Sequence, residues 1–242
     1  MRSLFFLYGV ICYGIFLGTF LYAIGFVGNF IVPKSMDSGA DGPLAEALII
    51  NALLLGVFAV QHSVMARKEF KELWTKLIPE VIERSTYTLL SSLALLLLFW
   101  QWRPMGYVIW DVSGSNLGTI LIALSLVGWL IVLGSTFLIN HFEMFGLKQV
   151  FFNLKDREST YGEFKKPGLY KFVRHPIYFG FTVAFWATPI MTAAHLIFAI
   201  ATLGYVIIGI FLEEKDLVAT FGDEYKEYKS KVSMLIPLPP KK

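Results

Sequence analysis

Residues 176–212, PIYFGFTVAFWATPIMTAAHLIFAIATLGYVIIGIFL, carry no charged side chain. Thirty-seven residues of unbroken helix would be about 55 Å long, nearly twice the hydrocarbon thickness of a bilayer. Pro189 stands in the middle and removes a backbone donor where a helix would need one. The following residues, Met191 to His195, are mostly small and suit a turn. The stretch therefore predicts two helices in a hairpin, the first of them short.

Charge on either side gives the same answer independently. Segment 143–175 carries seven Lys and Arg, the tail 213–242 carries six, and segment 67–84 carries five. Segments 33–46 and 103–111 carry one each, Lys34 and Arg103. The positive-inside rule puts the three rich segments on the cytoplasmic side. Segments 143–175 and 213–242 can share that side only if the chain between them goes out and returns. Charge-free stretches at 3–33, 47–66, 85–102 and 112–142 supply four further spans. The fold class expected is all-α, a polytopic helical membrane protein. It has five to six transmembrane helices, including the C-terminal hairpin, and both termini are cytoplasmic. The whole of 1–242 reads as one domain, with a four-span half over 1–142 and a second half over 143–242. Multi-pass insertion in a bacterial inner membrane follows as the expected location.

Composition excludes the alternatives. Hydrophobic residues make up 56% of the 242 and charged residues 16%, with a mean hydropathy of +0.61. A soluble domain carries about 25% charged residues, and a chain of this size has no aqueous core large enough for so much apolar surface. Thirty-nine Phe, Trp and Tyr residues exclude disorder. The first apolar run is too long for a signal-peptide core and reads as a retained span. A net charge of +3 reflects loop lysines and arginines and implies no nucleic-acid partner. Cys12 is the lone cysteine and cannot form an internal disulfide. The four histidines, His62, His141, His175 and His195, lie far apart, with no HExxH or CxxC motif, so no metal site is expected. A GxxxG at Gly14 and Gly18 in the first span reads as helix packing.

Polar residues at membrane depth carry functional information, because bare spans need none. They concentrate between His141 and Gly180 and resume at Glu213. Residues 168–180 read GLYKFVRHPIYFG; beyond the hairpin come Glu213, Glu214, Leu217, Phe221, Gly222, Tyr225, Tyr228 and Pro237. Arg174 and His175 alone would pass for ordinary interfacial residues. Likewise, Glu213 and Glu214 alone would pass for the start of an amphipathic tail helix. Both motifs flanking one hairpin form a composite pattern, with an Arg, a His, two Tyr and two carboxylates brought to one boundary.

This composite, over residues 166–237, resembles the cofactor-binding half of integral membrane methyltransferases such as the isoprenylcysteine carboxyl and phospholipid methyltransferases. The amino-terminal half is similar to the nurim/NnrU-like branch of that group. Within that branch, residues 22–29 (YAIGFVGN), 61–67 (QHSVMAR) and 140–149 (NHFEMFGLKQ) resemble the bacterial methanethiol S-methyltransferases. The resemblance implies an S-adenosylmethionine-dependent enzyme acting on a small thiol, with methanethiol converted to dimethyl sulfide. It implies cofactor contacts at Gln149, the backbone of 162–165, Gly168, Tyr170, Arg174, His175, Pro176, Tyr178, Glu213 and Glu214. Phospholipid-amine or isoprenylcysteine-type transfer, or a non-catalytic membrane protein, are the alternative readings. Isoprenylcysteine methyltransferases place an arginine shortly before the paired glutamates, whereas residues 205–212 here are uncharged, which disfavours a carboxylate substrate.

The chemistry agrees with such a site. A carboxylate accepts hydrogen bonds from a ribose diol or an ammonium. Tyr170 and Tyr178 offer rings to an adenine or a sulfonium, the latter a cation–π contact of about 0.5–2 kcal/mol. Pro176 suits the first turn of a helix whose amino end attracts a carboxylate. A thiol must lose its proton to attack, and a histidine with an ordinary pKa of about 6.5 is a suitable base. His141 and His62 are the candidates for that role, with Glu143 as an orienting carboxylate.

Overall fold

The computed structural model of the protein describes residues 1–157 and 166–240. Among these residues, five helices are long and apolar enough to cross a membrane. They are α1 (Arg2–Gly28), α2 (Leu44–Ala66), α4 (Glu80–Gln101), α5 (Asn116–Ile139) and α9 (Ala193–Phe221). Short helices α3 (Lys68–Trp74), α6 (His141–Met144), α7 (Leu147–Leu154), α8 (Pro176–Trp186) and α10 (Asp223–Lys231) complete the helical set. The chain divides into two compact units.

The first unit comprises Met1–Tyr107 and Asn140–Tyr161. Here α4 packs against both α1 and α2, while α7 packs on α1. Of the three long helices, α4 is the least apolar. Its buried Ser85, Thr88, Ser91 and Ser92 form a small-residue polar face. Thr88 and Ser92 return their hydroxyls to the helix's own carbonyls, as membrane burial requires.

The second unit comprises Val108–Ile139 and Gly162–Lys242. The expected hairpin is present. Helix α8 begins at Pro176, whose missing N–H costs nothing in a first turn, and ends at Trp186. Eleven helical residues span only about 16 Å, so α8 alone is too short to cross a bilayer. Residues 187–192 extend the path, and Thr192 then caps α9 by accepting from the His195 N–H at 3.1 Å. Twenty residues of α9, from Ala193 to Leu212, match the hydrocarbon thickness of about 30 Å, and this places Glu213 at its edge. The helix continues to Phe221 and stops at Gly222, whose φ of 57° favours glycine.

Two features differ from the sequence reading. A two-stranded antiparallel ribbon joins β1 (Val108–Asp111) to β2 (Ile190–Thr192), in what had read as loop and turn. These strands are three and four residues long, too short for a period to register. The close-packing glycines are also elsewhere. A Cβ on Gly14 or Gly18 would meet nothing within 4 Å, whereas one on Gly128 of α5 would sit 2.7 Å from the Gly180 carbonyl of α8.

Candidate active site

The second unit assembles a polar cluster where the hairpin returns. Arg174 and His175 immediately precede α8, and Glu213 and Glu214 lie 20 residues into α9. Glu214 is 2% exposed and is the centre of the cluster. Its Oε1 accepts from Arg174 Nε at 2.6 Å and meets His175 Nε2 at 3.2 Å, while Oε2 pairs with Lys229 Nζ at 2.7 Å. A buried carboxylate is tolerated only when so paired.

Arg174 does a second task. Its Nη1 donates to the carbonyls of Lys229, at 3.0 Å, and Val232. The guanidinium thus ties the end of α10 to the start of the hairpin. Residues 233–238 then run beside 172–175, with the N–H groups of Arg174 and His175 donating to the Ser233 and Met234 carbonyls at 2.8 and 3.2 Å. Tyr225 and Tyr228 are buried against Leu217, Val218 and Phe221, so one apolar stripe continues across the break at Gly222. The Tyr228 hydroxyl donates to the Tyr170 carbonyl at 2.6 Å, which fixes the 3-10 turn Gly168–Lys171. Burial pushes the Tyr228 phenol up to about 12 and raises those of Tyr170 and Tyr225 further. All three are neutral hydrogen-bonding groups at neutral pH.

Glu213 is different. Its side chain is 46% exposed; Oε2 accepts from the Tyr178 hydroxyl at 3.1 Å and lies 3.7 Å from His175 Nδ1. The rings of His175 and Tyr178 stack at 5.6 Å. Accessible acceptor capacity and an aromatic face occur here, beside the first turn of α8.

The first unit holds the other candidates. His141 is buried, its Nε2 is 2.8 Å from the Tyr13 hydroxyl, and Phe142 and Phe145 set their edges against the ring. Burial lowers its pKa below the ordinary value, so the imidazole is neutral at neutral pH. Glu143 Oε2 accepts from Lys148 at 2.7 Å and from Asn140, so this carboxylate is committed to a lysine and an amide. His62 packs against Tyr87, whose hydroxyl is 2.9 Å from Nε2, and its Nδ1 is 3.2 Å from Ser91 Oγ. Gln149 donates to the Glu143 carbonyl at 3.0 Å, but its buried Oε1 has no partner. One turn on along α7, the buried Oδ1 of Asn153 is likewise unpartnered. Two orphan acceptors on one helix face are what a ligand rich in N–H donors would complete.

The comparisons with known proteins bear on this site. A family model described as phospholipid methyltransferase matches residues 115–224. Methanethiol S-methyltransferase 1 of Bradyrhizobium diazoefficiens is 59% identical over 96% of this chain and 81% of its own length. The Mycobacterium tuberculosis methanethiol S-methyltransferase is 53% identical over 98% of both chains. The chain belongs to the methanethiol S-methyltransferase family. A nurim homolog of Drosophila pseudoobscura is 30% identical over 78% of the chain and 76% of its own. No solved structure matches.

This methanethiol S-methyltransferase family member is thus a multi-pass membrane methyltransferase. The structure brings Arg174, His175, Tyr178, Glu213 and Glu214 together, with Gly168, Tyr170 and Pro176 on the connected backbone. His62, His141, Glu143 and Gln149 belong to the first unit. The backbone of 162–165 lies outside the described residues. Lys229 and Asn153 escaped the sequence reading. Lys229 is one of six tail Lys and Arg residues, and nothing in its spacing marks it. Asn153 at one turn from Gln149 was legible in principle, as a second amide on the same helical face.

Proposed function

We propose that this protein transfers a methyl group from S-adenosylmethionine to methanethiol, releasing dimethyl sulfide. The observation that carries the reading is near full-length identity of 53–59% to methanethiol S-methyltransferases in a chain with an intact Arg174–His175–Glu213–Glu214 cluster. The donor set of the second unit fits the cofactor: an accessible carboxylate at Glu213, a stacked His175–Tyr178 pair and a helix amino end at Pro176. When bound, S-adenosylmethionine supplies an electrophilic methyl group on a sulfonium.

The residues have distinct tasks. Glu213 accepts from ribose or ammonium donors, and Tyr178 holds it in place. Glu214 fixes Arg174, His175 and Lys229 around it. His141, neutral and buried, accepts the thiol proton, and the Tyr13 hydroxyl orients its imidazole. His62 is the second candidate for the base. With the cofactor held there, it would supply the methyl group and leave as the neutral thioether S-adenosylhomocysteine, while these residues would align the thiolate sulfur and take up its proton. Positioning supplies much of the acceleration in such a step. The charge distribution supports a bacterial inner-membrane location with both termini and the 143–175 segment cytoplasmic.

Purified protein given the cofactor and methanethiol, followed by headspace gas analysis, tests the reaction. Dimethyl sulfide is the expected product. Binding of radiolabelled S-adenosylmethionine without any product from methanethiol would point to a different acceptor, and no binding would remove S-adenosylmethionine as the methyl donor.

A further inference from the structure

Apart from that cluster, a groove lies on the second unit, formed by the turn before the hairpin and the tail. It has a volume of about 270 Å³ and is lined by Lys166, Lys171, Glu227, Tyr228, Lys231, Val232 and Pro240. Three lysines against one glutamate leave it positive. Glu227 pairs with Lys231 at 2.7 Å, and Lys166 Nζ stands 5.3 Å over the Tyr228 ring, so two of the three cations are held in place by neighbours. Along the chain, the lining residues are flanked by exposed apolar side chains, Leu169, Phe172, Ile236 and Leu238. Leu238 is tied back to the Phe172 carbonyl by its N–H at 3.4 Å, so the ledge is a defined part of the fold. Phe172 lies four residues before Pro176, where the uncharged membrane hairpin begins.

An apolar ledge at the membrane boundary beside a lysine-lined cavity matches one chemistry: a phosphodiester headgroup above, with acyl chain below. We propose that this groove binds the headgroup of an anionic glycerophospholipid of the surrounding bilayer, with Lys166, Lys171 and Lys231 contacting the phosphate. Phosphatidylglycerol fits most fully, because its glycerol hydroxyls can donate to Glu227 while the lysines meet the phosphate. A zwitterionic headgroup brings its own cation against the three lysines. The site shares no side chain with the Arg174–Glu214 cluster, and the inference stands whether or not the acceptor is methanethiol.

The test uses the full-length protein in detergent, titrated with short-chain phosphatidylglycerol and, separately, short-chain phosphatidylcholine, with bound lipid read by native mass spectrometry. One saturable phosphatidylglycerol site is expected, with phosphatidylcholine a poor competitor. Each of Lys166→Gln, Lys171→Gln and Lys231→Gln should weaken binding about fivefold, the worth of one lysine near an anionic lipid surface. Lys226→Gln, outside the groove, should leave it unchanged. Binding of radiolabelled S-adenosylmethionine serves as the fold check for every variant and should be retained. Equal binding of phosphatidylcholine, or no change in any groove variant, overturns the proposal. So does inorganic phosphate competing as strongly as the lipid, which would make this a free-anion site. Loss of cofactor binding in all three groove variants would assign the groove to the cofactor instead.

Discussion

At the scale of single residues, adjacent glutamates in one motif have separate fates. The pattern of the sequence treats Glu213 and Glu214 alike, but one helix position rotates the side chain by about 100°, which turns Glu214 into the protein and leaves Glu213 at the rim. Glu214 meets two cations, Arg174 and Lys229, and the imidazole of His175 within 3.2 Å. Glu214→Gln leaves Arg174 and Lys229 without a counter-charge. Removing one member of a buried pair costs about 3–5 kcal/mol, discounted here because Lys229 is half exposed, so a clear fall in Tm is expected. Glu213→Gln should keep the Tm and lose about 1.5–3 kcal/mol of cofactor affinity by calorimetry, one charge-assisted hydrogen bond. An unchanged Tm in Glu214→Gln would refute the anchoring role. A second prediction concerns His141. Burial lowers its pKa, so it acts as a base only above a value lying below about 6.5, and turnover should fall as the pH drops through that region. The unfolded chain takes up that proton first, so acidification below about 6.5 also erodes stability. His141→Ala should lower turnover far more at pH 7 than at about pH 9.5, where free thiolate partly replaces the base. Full turnover at pH 7 would exclude it.

At the scale of elements, the hairpin was legible because two independent constraints demanded it, excess length and the distribution of Lys and Arg. The partner of its first arm was not. GxxxG in α1 was the visible small-residue signal, yet its glycines face open space. The real close approach pairs single glycines on α5 and α8, 52 residues apart, and no local spacing encodes such a pair. Its neighbours confirm the contact: Ser125 donates to the Ala184 carbonyl at 2.9 Å, and Trp129 sets its edge against Phe181 and Phe185. A Cβ on Gly180 would meet the Gly128 carbonyl at 2.7 Å and the Val132 N–H nitrogen at 2.9 Å. These are backbone atoms, which cannot turn aside. Gly180→Val should therefore cost at least about 1–3 kcal/mol and reduce the folded yield recovered in detergent. Gly18→Val, with nothing within 4 Å, is the matched control. Equal yields for the two would show that α5 and α8 do not pack through these glycines.

At the scale of the whole molecule, charge and length together carry the proposed threading of the chain. Eighteen of the 21 Lys and Arg residues lie in segments 67–84, 143–175 and 213–242, all of which the positive-inside rule assigns to one side. In α9, 20 apolar residues separate Ala193 from Glu213, so the Glu213–Glu214 pair emerges at the bilayer edge rather than within it. Arg174 lies against Glu214 at 2.6 Å and must share that side. S-adenosylmethionine is made in the cytosol, so a site open to it faces inward. Lys171, three residues before Arg174, reports the orientation. Cys12, the sole native cysteine, is buried and gives little background to a thiol reagent. Lys171→Cys should resist a membrane-impermeant maleimide added to intact cells and react once the membrane is opened. Lys34, in the loop between α1 and α2, provides the opposite arm: Lys34→Cys should label from outside without permeabilisation. Labelling of Lys171→Cys from outside, with Lys34→Cys protected, would invert the topology and place the Arg174–Glu214 cluster away from the proposed cofactor.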